Sequence, residues 1–227
     1  EILRCLVGSE MCIRDSPMPI QTATETEAVY LFNADTGKTL LTQNADQPRY
    51  VASLTKMMTA LLLLESGKDL NGEVTVPTDL TQEFKDIQNA NGTTMGLRIG
   101  ETVRRIDLLN ALLITSANDA ASVIAWDVGG SLNAFIQQMN ARAAELGCTS
   151  ATFTCAHGLY DYGNVASAED MAKIAAACAA NETFAQVAGS TTYTLGQTNF
   201  HSEQRTISSS NPVSYTHLRA HETSQDL

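Results

Sequence analysis

The pattern of apolar and polar positions predicts a β-hairpin followed by a buried helix. Residues 28–33 and 38–43 are rich in strand-forming types and flank the turn signal Asp35-Thr36-Gly37, which indicates two paired strands. Residues 57–64 are apolar on nearly all sides of a helix, and a helix of that kind is buried in a protein core. Gly67 is expected to end it.

The middle of the chain is predicted to be mainly helical. Apolar residues recur at helical spacing over residues 103–115, and Asn118 or Asp119 is expected to be the N-cap of the next helix. Ser131 and Ser167 precede further apolar periods and predict two more helix starts. Shorter segments are predicted as a helix at 81–91 and as extended chain at 73–76, 148–155 and 191–195.

This order of elements predicts an α+β fold, in which a helical cluster packs against an antiparallel sheet with strands from both ends of the chain. The 227 residues are 44% hydrophobic, which is ample for a core. The net charge of −11 argues against nucleic acid as a partner, because a nucleic-acid-binding protein presents a basic face. No apolar run reaches the roughly 20 residues that a membrane-spanning helix needs.

The five cysteines match no zinc-binding pattern, and neither a metal nor a cofactor is predicted. Cys148 and Cys155 could form a disulfide only if the chain folds back between them. If residues 149–154 are extended, the two Cα atoms lie beyond the roughly 6 Å that a disulfide requires. Free thiols are the preferred interpretation, and the disulfide alternative stays open.

Both ends of the chain are interpreted as foreign to the domain, which is expected to span residues 17–212. Residues 1–16 have acidic residues at both ends and no continuous apolar centre, unlike a signal peptide. Residues 213–227 have no helical or strand period, and both segments resemble translated sequencing adapters. His217 and His221 lie in the excluded tail, so their four-residue spacing is not interpreted as a metal pair.

The strongest chemical signal is Ser53 followed by Lys56 at the head of the apolar helix. Residues three apart share a face of a helix, so the hydroxyl and the amine are expected to lie side by side. An amine whose pKa is lowered by burial can take the proton of a serine and activate it as a nucleophile. The alternative is an ordinary N-cap serine with a solvated lysine, and the apolar helix argues against it.

A second polar group, Ser116-Ala117-Asn118, lies between two apolar helices. A polar loop in that position places hydroxyl and amide groups where water is scarce. Considered alone, the loop is equally well explained as a helix cap. Together with Ser53 and Lys56, it indicates an acyl-transfer centre.

Over roughly residues 28–212 the chain resembles the low-molecular-weight penicillin-binding proteins, which are serine-type D-Ala-D-Ala carboxypeptidases. Because several motifs match in the right order, this resemblance is far more specific than either short motif alone. The matching segments are Asn33-Ala34-Asp35-Thr36-Gly37-Lys38, Ala52-Ser53-Leu54-Thr55-Lys56-Met57-Met58-Thr59-Ala60, Gly92-Thr93-Thr94-Met95, Gly100-Glu101, Ser116-Ala117-Asn118-Asp119-Ala120-Ala121, Glu145-Leu146-Gly147 and His157-Gly158-Leu159.

The resemblance implies a role for each polar residue of the two motifs. Ser53 would be the acylated nucleophile and the source of one oxyanion-hole N–H, and Lys56 would be its general base. Ser116 would relay a proton to the leaving D-alanine amine, and Asn118 would bind the substrate amide. The substrates would be peptidoglycan stem peptides, with β-lactams acylating Ser53 as mimics. His157 also matches a position of the family and is interpreted as structural.

One motif of the family is absent. The resemblance implies a Lys-Thr-Gly strand downstream of Asn211-Pro212, and this sequence has none after Ser116. That strand supplies the cation for the substrate carboxylate and a second oxyanion donor. We therefore expect an incomplete form of the enzyme, a partial transpeptidase-like domain of the penicillin-binding-protein and β-lactamase type with an incomplete antiparallel sheet.

Two alternatives remain for the function. A serine β-lactamase shares the two serine motifs, and the chain could also be an inactive fragment that only recognises penicillin. The resemblance implies an extracytoplasmic location and a parent protein that is tethered to the membrane through a C-terminal helix absent from this sequence. No cofactor is implied.

Overall fold

The structure, a computed structural model, describes residues 26–34, 36–159 and 161–209. Within these ranges the chain forms seven α-helices and eight short strands. The helices are α1 (Thr55–Glu65), α2 (Thr81–Asn89), α3 (Arg105–Ile114), α4 (Asn118–Gly129), α5 (Leu132–Glu145), α6 (Ala168–Ala179) and α7 (Glu182–Ala188). The strands are β1 (Val29–Phe32), β2 (Thr39–Gln43), β3 (Arg49–Tyr50), β4 (Glu73–Thr75), β5 (Thr102–Arg104), β6 (Val165–Ala166), β7 (Thr192–Leu195) and β8 (Arg205–Ser208).

Helix α1 lies at the centre of the helical cluster. It packs against α3, α4, α5, α6 and α7, and residues on several of its faces are buried, among them Met58, Leu61 and Leu63. An amphipathic helix could not do this, because one of its faces would remain polar. The prediction of a buried helix from the run of Met and Leu is therefore confirmed.

The strands form four separate antiparallel pairs: β1 with β2, β3 with β6, β4 with β5, and β7 with β8. The predicted hairpin is confirmed, with Leu31 opposite Leu41, although Asp35 of its turn lies outside the described residues. The combination of a helical cluster with small antiparallel pairs confirms the α+β class. The expected joining of strands from both ends of the chain in one sheet is not observed in the described residues, because β1–β2 and β7–β8 are separate pairs.

The predicted helix over residues 103–115 begins two residues too early. Val103 lies in β5, pairs with Val74 of β4, and is buried, and α3 begins at Arg105. The apolar spacing predicts the helix, but pairing with a distant strand decides the conformation of Val103.

The start of α4 also differs from the prediction. Its N-cap is Ala117, so neither Asn118 nor Asp119 is the cap. The Asp119 carboxylate instead accepts the backbone N–H groups of Met95, Gly96 and Leu97 at 2.9–3.0 Å. The same carboxylate also accepts the N–H of Ala120 at 2.9 Å, so it bonds the first turn of α4 without being its N-cap.

Two serine caps are confirmed. Ser131 Oγ accepts the N–H of Ala134 at 3.2 Å at the start of α5, and Ser167 Oγ accepts the N–H of Asp170 at 3.1 Å at the start of α6. Residues 148–155 were expected to be extended, but they form only an isolated bridge between Thr152 and Val165. Helix α7 was not predicted.

The cysteines of the described ranges are free thiols. Cys148 and Cys155 are partly buried and Cys178 is buried, so no disulfide joins Cys148 to Cys155. Among the helices in the described ranges, none combines the length and apolar character required to cross a bilayer.

A loop of residues 155–159, called here the docking loop, contacts the turn that precedes α1. Gly158 has a left-handed backbone with φ of +77°, and a Cβ atom added there would overlap the carbonyl oxygen of Ala52. The absence of a side chain at this position therefore allows the two backbones to touch.

Gly158→Ala is expected to lower the free energy of unfolding by about 3 kcal/mol. A left-handed backbone costs an L-residue about 1–2 kcal/mol, and overpacking costs a further amount of about 1–3 kcal/mol. Urea unfolding would measure the change. Gly147→Ala is the matched control, because Gly147 has φ of +74° and no atom within 4 Å of an added Cβ. Equal losses in the two variants would contradict the proposed backbone contact.

Candidate active site

Ser53 lies in a single 3-10 turn, Ala52–Leu54, directly before α1. The residue is exposed, so its hydroxyl is open to a ligand. Ala52, immediately before it, has a left-handed backbone with φ of +46°. Ser53 thus occupies a sharp turn at the head of a buried helix.

Lys56 lies in the first turn of α1 and is only 3% exposed. Its Nζ atom is 3.1 Å from Ser53 Oγ and donates a hydrogen bond of 2.6 Å to the carbonyl oxygen of His157. The sequence-based expectation that the hydroxyl and the amine lie side by side agrees with this geometry.

Burial lowers the pKa of Lys56 to about 8, because removing the ammonium group from water disfavours its charged form. Roughly one molecule in ten then carries a neutral amine at pH 7. A neutral amine beside a serine hydroxyl can accept its proton, which is the requirement for a general base.

Ser116 connects α3 to α4 and lines the same cavity of about 420 Å³ as Ser53 and Lys56. Apolar side chains complete much of the cavity wall, including Leu112 and Leu113 of α3. Ser116 has φ of +59°, an unfavourable backbone for a residue other than glycine or asparagine. The structure therefore brings Ser53, Lys56 and Ser116 to one site.

Asn118 does not line that cavity and is only 4% exposed. Its Nδ2 donates to the carbonyl oxygen of Thr93 at 2.9 Å, which directs Oδ1 away from that carbonyl. Oδ1 is buried and has no hydrogen-bond partner among the described residues. The role of Asn118 in binding a substrate amide thus stays a prediction. It is supported by Oδ1, because a buried acceptor usually has a hydrogen-bond partner.

The docking loop is attached to the Ser53 region by three consecutive carbonyl groups. Ala156 O accepts the hydroxyl of Thr59 at 2.6 Å, His157 O accepts Lys56 Nζ, and Gly158 O accepts the hydroxyl of Tyr50 at 2.7 Å. Sequence reasoning missed these contacts, because a backbone carbonyl has no signature in the sequence.

The ring of His157 is directed away from Lys56 and toward α2. Its Nε2 is 3.0 Å from Glu83 Oε1, and Glu83 also accepts the hydroxyl of Ser122 at 2.9 Å. This network joins α2, α4 and the docking loop. It fits the interpretation of His157 as structural, whereas Glu83 was not singled out from the sequence.

Opposing contacts act on the protonation of the His157 ring. Burial disfavours the charged ring, but the neighbouring Cys155 side chain and the Glu83 carboxylate outweigh burial and raise the pKa of His157 to about 9. The N–H of Leu159 donates to Nδ1 at 3.0 Å and favours the neutral ring. The two effects oppose each other, because a charged ring carries a proton on Nδ1 and cannot accept the N–H of Leu159 there.

Within the ranges that the structure describes, no group of three or more His, Cys, Asp or Glu side chains could hold a metal ion. The chemistry available at the Ser53 cavity is that of a hydroxyl, a buried amine and a second hydroxyl.

A model of the D-alanyl-D-alanine carboxypeptidase family matches residues 15–216. The chain belongs to this family. It is 30% identical over 174 residues to the D-alanyl-D-alanine carboxypeptidase DacF of Bacillus subtilis, an alignment that covers 77% of this chain and 44% of DacF. The chain therefore spans less than half the length of that relative.

Solved structures support the same assignment. The Streptomyces K15 DD-transpeptidase superposes with a TM-score of 0.76 at 29% identity, covering 83% of this chain and 74% of that chain. A D-alanyl-D-alanine carboxypeptidase of Mycobacterium tuberculosis superposes with a TM-score of 0.71 at 27% identity, covering 81% and 66% of the two chains. The fold predicted from the resemblance to penicillin-binding proteins is confirmed.

The Lys56 amine is expected to titrate with a midpoint near pH 8, because burial lowers its pKa to about that value. NMR of protein labelled with carbon-13 at the lysine ε position would follow it, and Lys56→Arg would identify its signal. A Lys56 midpoint at or above the ordinary lysine value of about 10.4 would contradict the assignment of a buried amine.

Proposed function

We propose that Ser53, Lys56, Ser116 and Asn118 form the acyl-transfer centre of a serine-type D-Ala-D-Ala carboxypeptidase that acts on peptidoglycan stem peptides. The observation that carries this proposal is the buried Lys56 amine 3.1 Å from the exposed Ser53 hydroxyl, in a cavity that Ser116 also lines. Membership of the D-alanyl-D-alanine carboxypeptidase family supports the substrate class. The enzyme would work outside the cytoplasm, where peptidoglycan lies.

In the proposed mechanism the neutral Lys56 amine takes the proton of Ser53 as Oγ attacks the carbonyl carbon of the penultimate D-alanine. The backbone N–H of Ser53 stabilises the oxyanion. The peptide C–N bond then breaks, and the proton on Lys56 reaches the leaving amine through the Ser116 hydroxyl. Water hydrolyses the acyl-enzyme and regenerates Ser53.

Asn118 would bind the amide of the substrate. Because its Nδ2 is engaged by Thr93, the acceptor left for a substrate N–H is Oδ1, which is buried outside the Ser53 cavity, so this contact would require the side chain to turn toward the cavity. A ligand N–H that donated to Oδ1 would give this buried oxygen a hydrogen-bond partner, and a buried acceptor without a partner is costly.

A fluorescent penicillin is expected to acylate Ser53, because opening the β-lactam ring forms the same kind of ester. Ser53→Ala should abolish the covalent adduct, and Ser190→Ala, on a residue outside the cavity, should retain it. Mass spectrometry of the intact chain and of its peptides would locate the added mass. An adduct that still forms in Ser53→Ala would contradict the assignment of Ser53 as the nucleophile.

The lifetime of the adduct separates the proposed enzyme from the alternatives. A long-lived penicilloyl ester supports a carboxypeptidase, whereas sustained turnover of a chromogenic cephalosporin supports a serine β-lactamase. If the folded chain of 227 residues forms no adduct, the interpretation as an inactive or incomplete form holds for this chain.

The rate of acylation is expected to rise about tenfold per pH unit below pH 8 and to level off above it, because only neutral Lys56 can accept the serine proton. Stopped-flow or gel-based labelling between pH 6 and 9.5 would measure the profile. Lys85→Gln should leave the profile unchanged. A rate independent of pH over this range would argue against Lys56 as the base.

A further inference from the structure

Glu83 is a partly buried carboxylate that no step of the proposed mechanism uses. It lies in α2 and lines a cavity of about 380 Å³ whose lining shares no residue with that of the Ser53 cavity. Its Oε1 atom accepts the hydroxyl of Ser122 at 2.9 Å and lies 3.0 Å from Nε2 of His157. One carboxylate oxygen therefore joins α2 to α4 and to the docking loop.

The ring of His157 is held at both of its nitrogen atoms. Nδ1 accepts the N–H of Leu159 at 3.0 Å, and an accepting nitrogen carries no proton, so the ring proton of this arrangement is on Nε2. That proton is directed at Glu83. Because Nε2 also carries a proton in the charged ring, Glu83 holds the ring in both protonation states.

The carbonyl group that holds Lys56 belongs to the same local turn. The hydrogen bond from Leu159 N–H to Nδ1 closes a ring of atoms that contains the peptide group between His157 and Gly158. The oxygen of this planar group, His157 O, accepts Lys56 Nζ at 2.6 Å, and Nζ lies 3.1 Å from Ser53 Oγ. Fixing the imidazole therefore limits the rotation of the peptide group that orients the amine.

We propose that Glu83 is a positioning residue for Lys56 and acts through the ring and the carbonyl group of His157. This role rests on the function proposed above, in which Lys56 is the general base. Glu83 does not line the Ser53 cavity, so it holds the base in place without contacting the substrate.

Other attachments of the docking loop predict how specific this effect is. Ala156 O and Gly158 O accept the hydroxyl groups of Thr59 and Tyr50. Neither bond involves Glu83, so both keep the loop on the head of α1 when the carboxylate is removed. Loss of Glu83 is therefore expected to turn the His157 peptide group without detaching the loop.

The first test follows the Lys56 amine and does not require acylation. Glu83→Ala removes the acceptor of the Nε2 proton, and a displaced His157 carbonyl then stabilises the Lys56 ammonium group less. The Lys56 midpoint, measured by carbon-13 NMR of the lysine ε positions, is expected to fall by about half a pH unit or more.

Asp86→Asn is the matched control for the loss of charge. Asp86 lies on the same helix and lines the same cavity, but it accepts the side-chain amide of Gln82. Cys155, whose side chain also acts on Lys56, is unchanged in both variants. Equal shifts of the Lys56 midpoint in Glu83→Ala and Asp86→Asn would overturn the proposal.

A double-mutant cycle decides whether Glu83 acts through His157. If it does, His157→Ala lowers the Lys56 midpoint by a similar amount, and adding Glu83→Ala to it has no further effect. Additive shifts would contradict this route. Glu83→Gln keeps an oxygen acceptor and is expected to restore most of the midpoint, whereas a shift as large as that of Glu83→Ala would assign the effect to charge and reject positioning.

Thermal melts verify that each variant folds. If Glu83→Ala does not fold, Ser122→Ala replaces it, because this change removes the donor that fixes the same Oε1 atom. A smaller fall of the Lys56 midpoint is then expected, and an unchanged midpoint would count against the role of Glu83.

The consequence for Ser53 depends on the proposed function. Acylation at saturating penicillin is expected to slow about fivefold or more in Glu83→Ala. The penicillin concentration that gives half the maximal rate should stay within about twofold, because Glu83 does not line the Ser53 cavity. A variant that is only less stable would lower the labelled fraction and leave the rate of the folded fraction unchanged, and that result would reject positioning.

Failure of the proposed function is distinguishable from failure of this inference. If the unmodified chain forms no adduct with penicillin, the proposed function fails for this chain. The Lys56 midpoints of the variants still decide whether Glu83 holds the amine, because the NMR titration uses the folded protein without a ligand.

Discussion

The attachment of the docking loop to the head of α1 is the contact on which the site depends. Three successive carbonyls, from Ala156 to Gly158, accept hydrogen bonds from Thr59, Lys56 and Tyr50. A buried amine on an apolar helix would be costly if it were unpaired, and His157 O provides the partner that keeps it in place. The same carbonyl fixes Nζ beside Ser53, so the contact that satisfies the buried lysine also orients it. Gly158 makes the arrangement possible because its missing side chain lets two backbones meet.

Glu83 gives the docking loop a second support. It accepts the hydroxyl of Ser122 on α4 and contacts the ring of His157, while the carbonyl of His157 faces Lys56. One residue of the loop therefore directs its ring toward Glu83 and its carbonyl oxygen toward Lys56.

Local patterns in the sequence were sufficient for six of the seven helices in the described ranges and for two capping serines, because apolar period and capping chemistry are local properties. The run of Met and Leu after Lys56 indicated burial, and burial is what lowers the pKa of that lysine. The misplaced start of α3 and the missed N-cap of α4 have a common cause. Val103 pairs with a strand about 30 residues away in sequence. The Asp119 carboxylate accepts the N–H groups of residues 95–97. Neither contact leaves a signal in the local sequence. The carbonyl of His157 and the carboxylate of Glu83 escaped prediction for the same reason.

The backbone at the Ser53 cavity is strained at two residues, and this strain has a consequence for engineering the fold. Among the described residues, four that are not glycine have a left-handed backbone, and two of these, Asn44 and Asn91, belong to the type that tolerates it best. The other two, Ala52 and Ser116, both line the Ser53 cavity. Glycine at either position would relieve the strain, but at residue 116 it would remove the hydroxyl from the cavity wall. A laboratory selection for heat resistance alone would therefore favour Ser116→Gly, which removes that hydroxyl, unless ligand binding is selected at the same time.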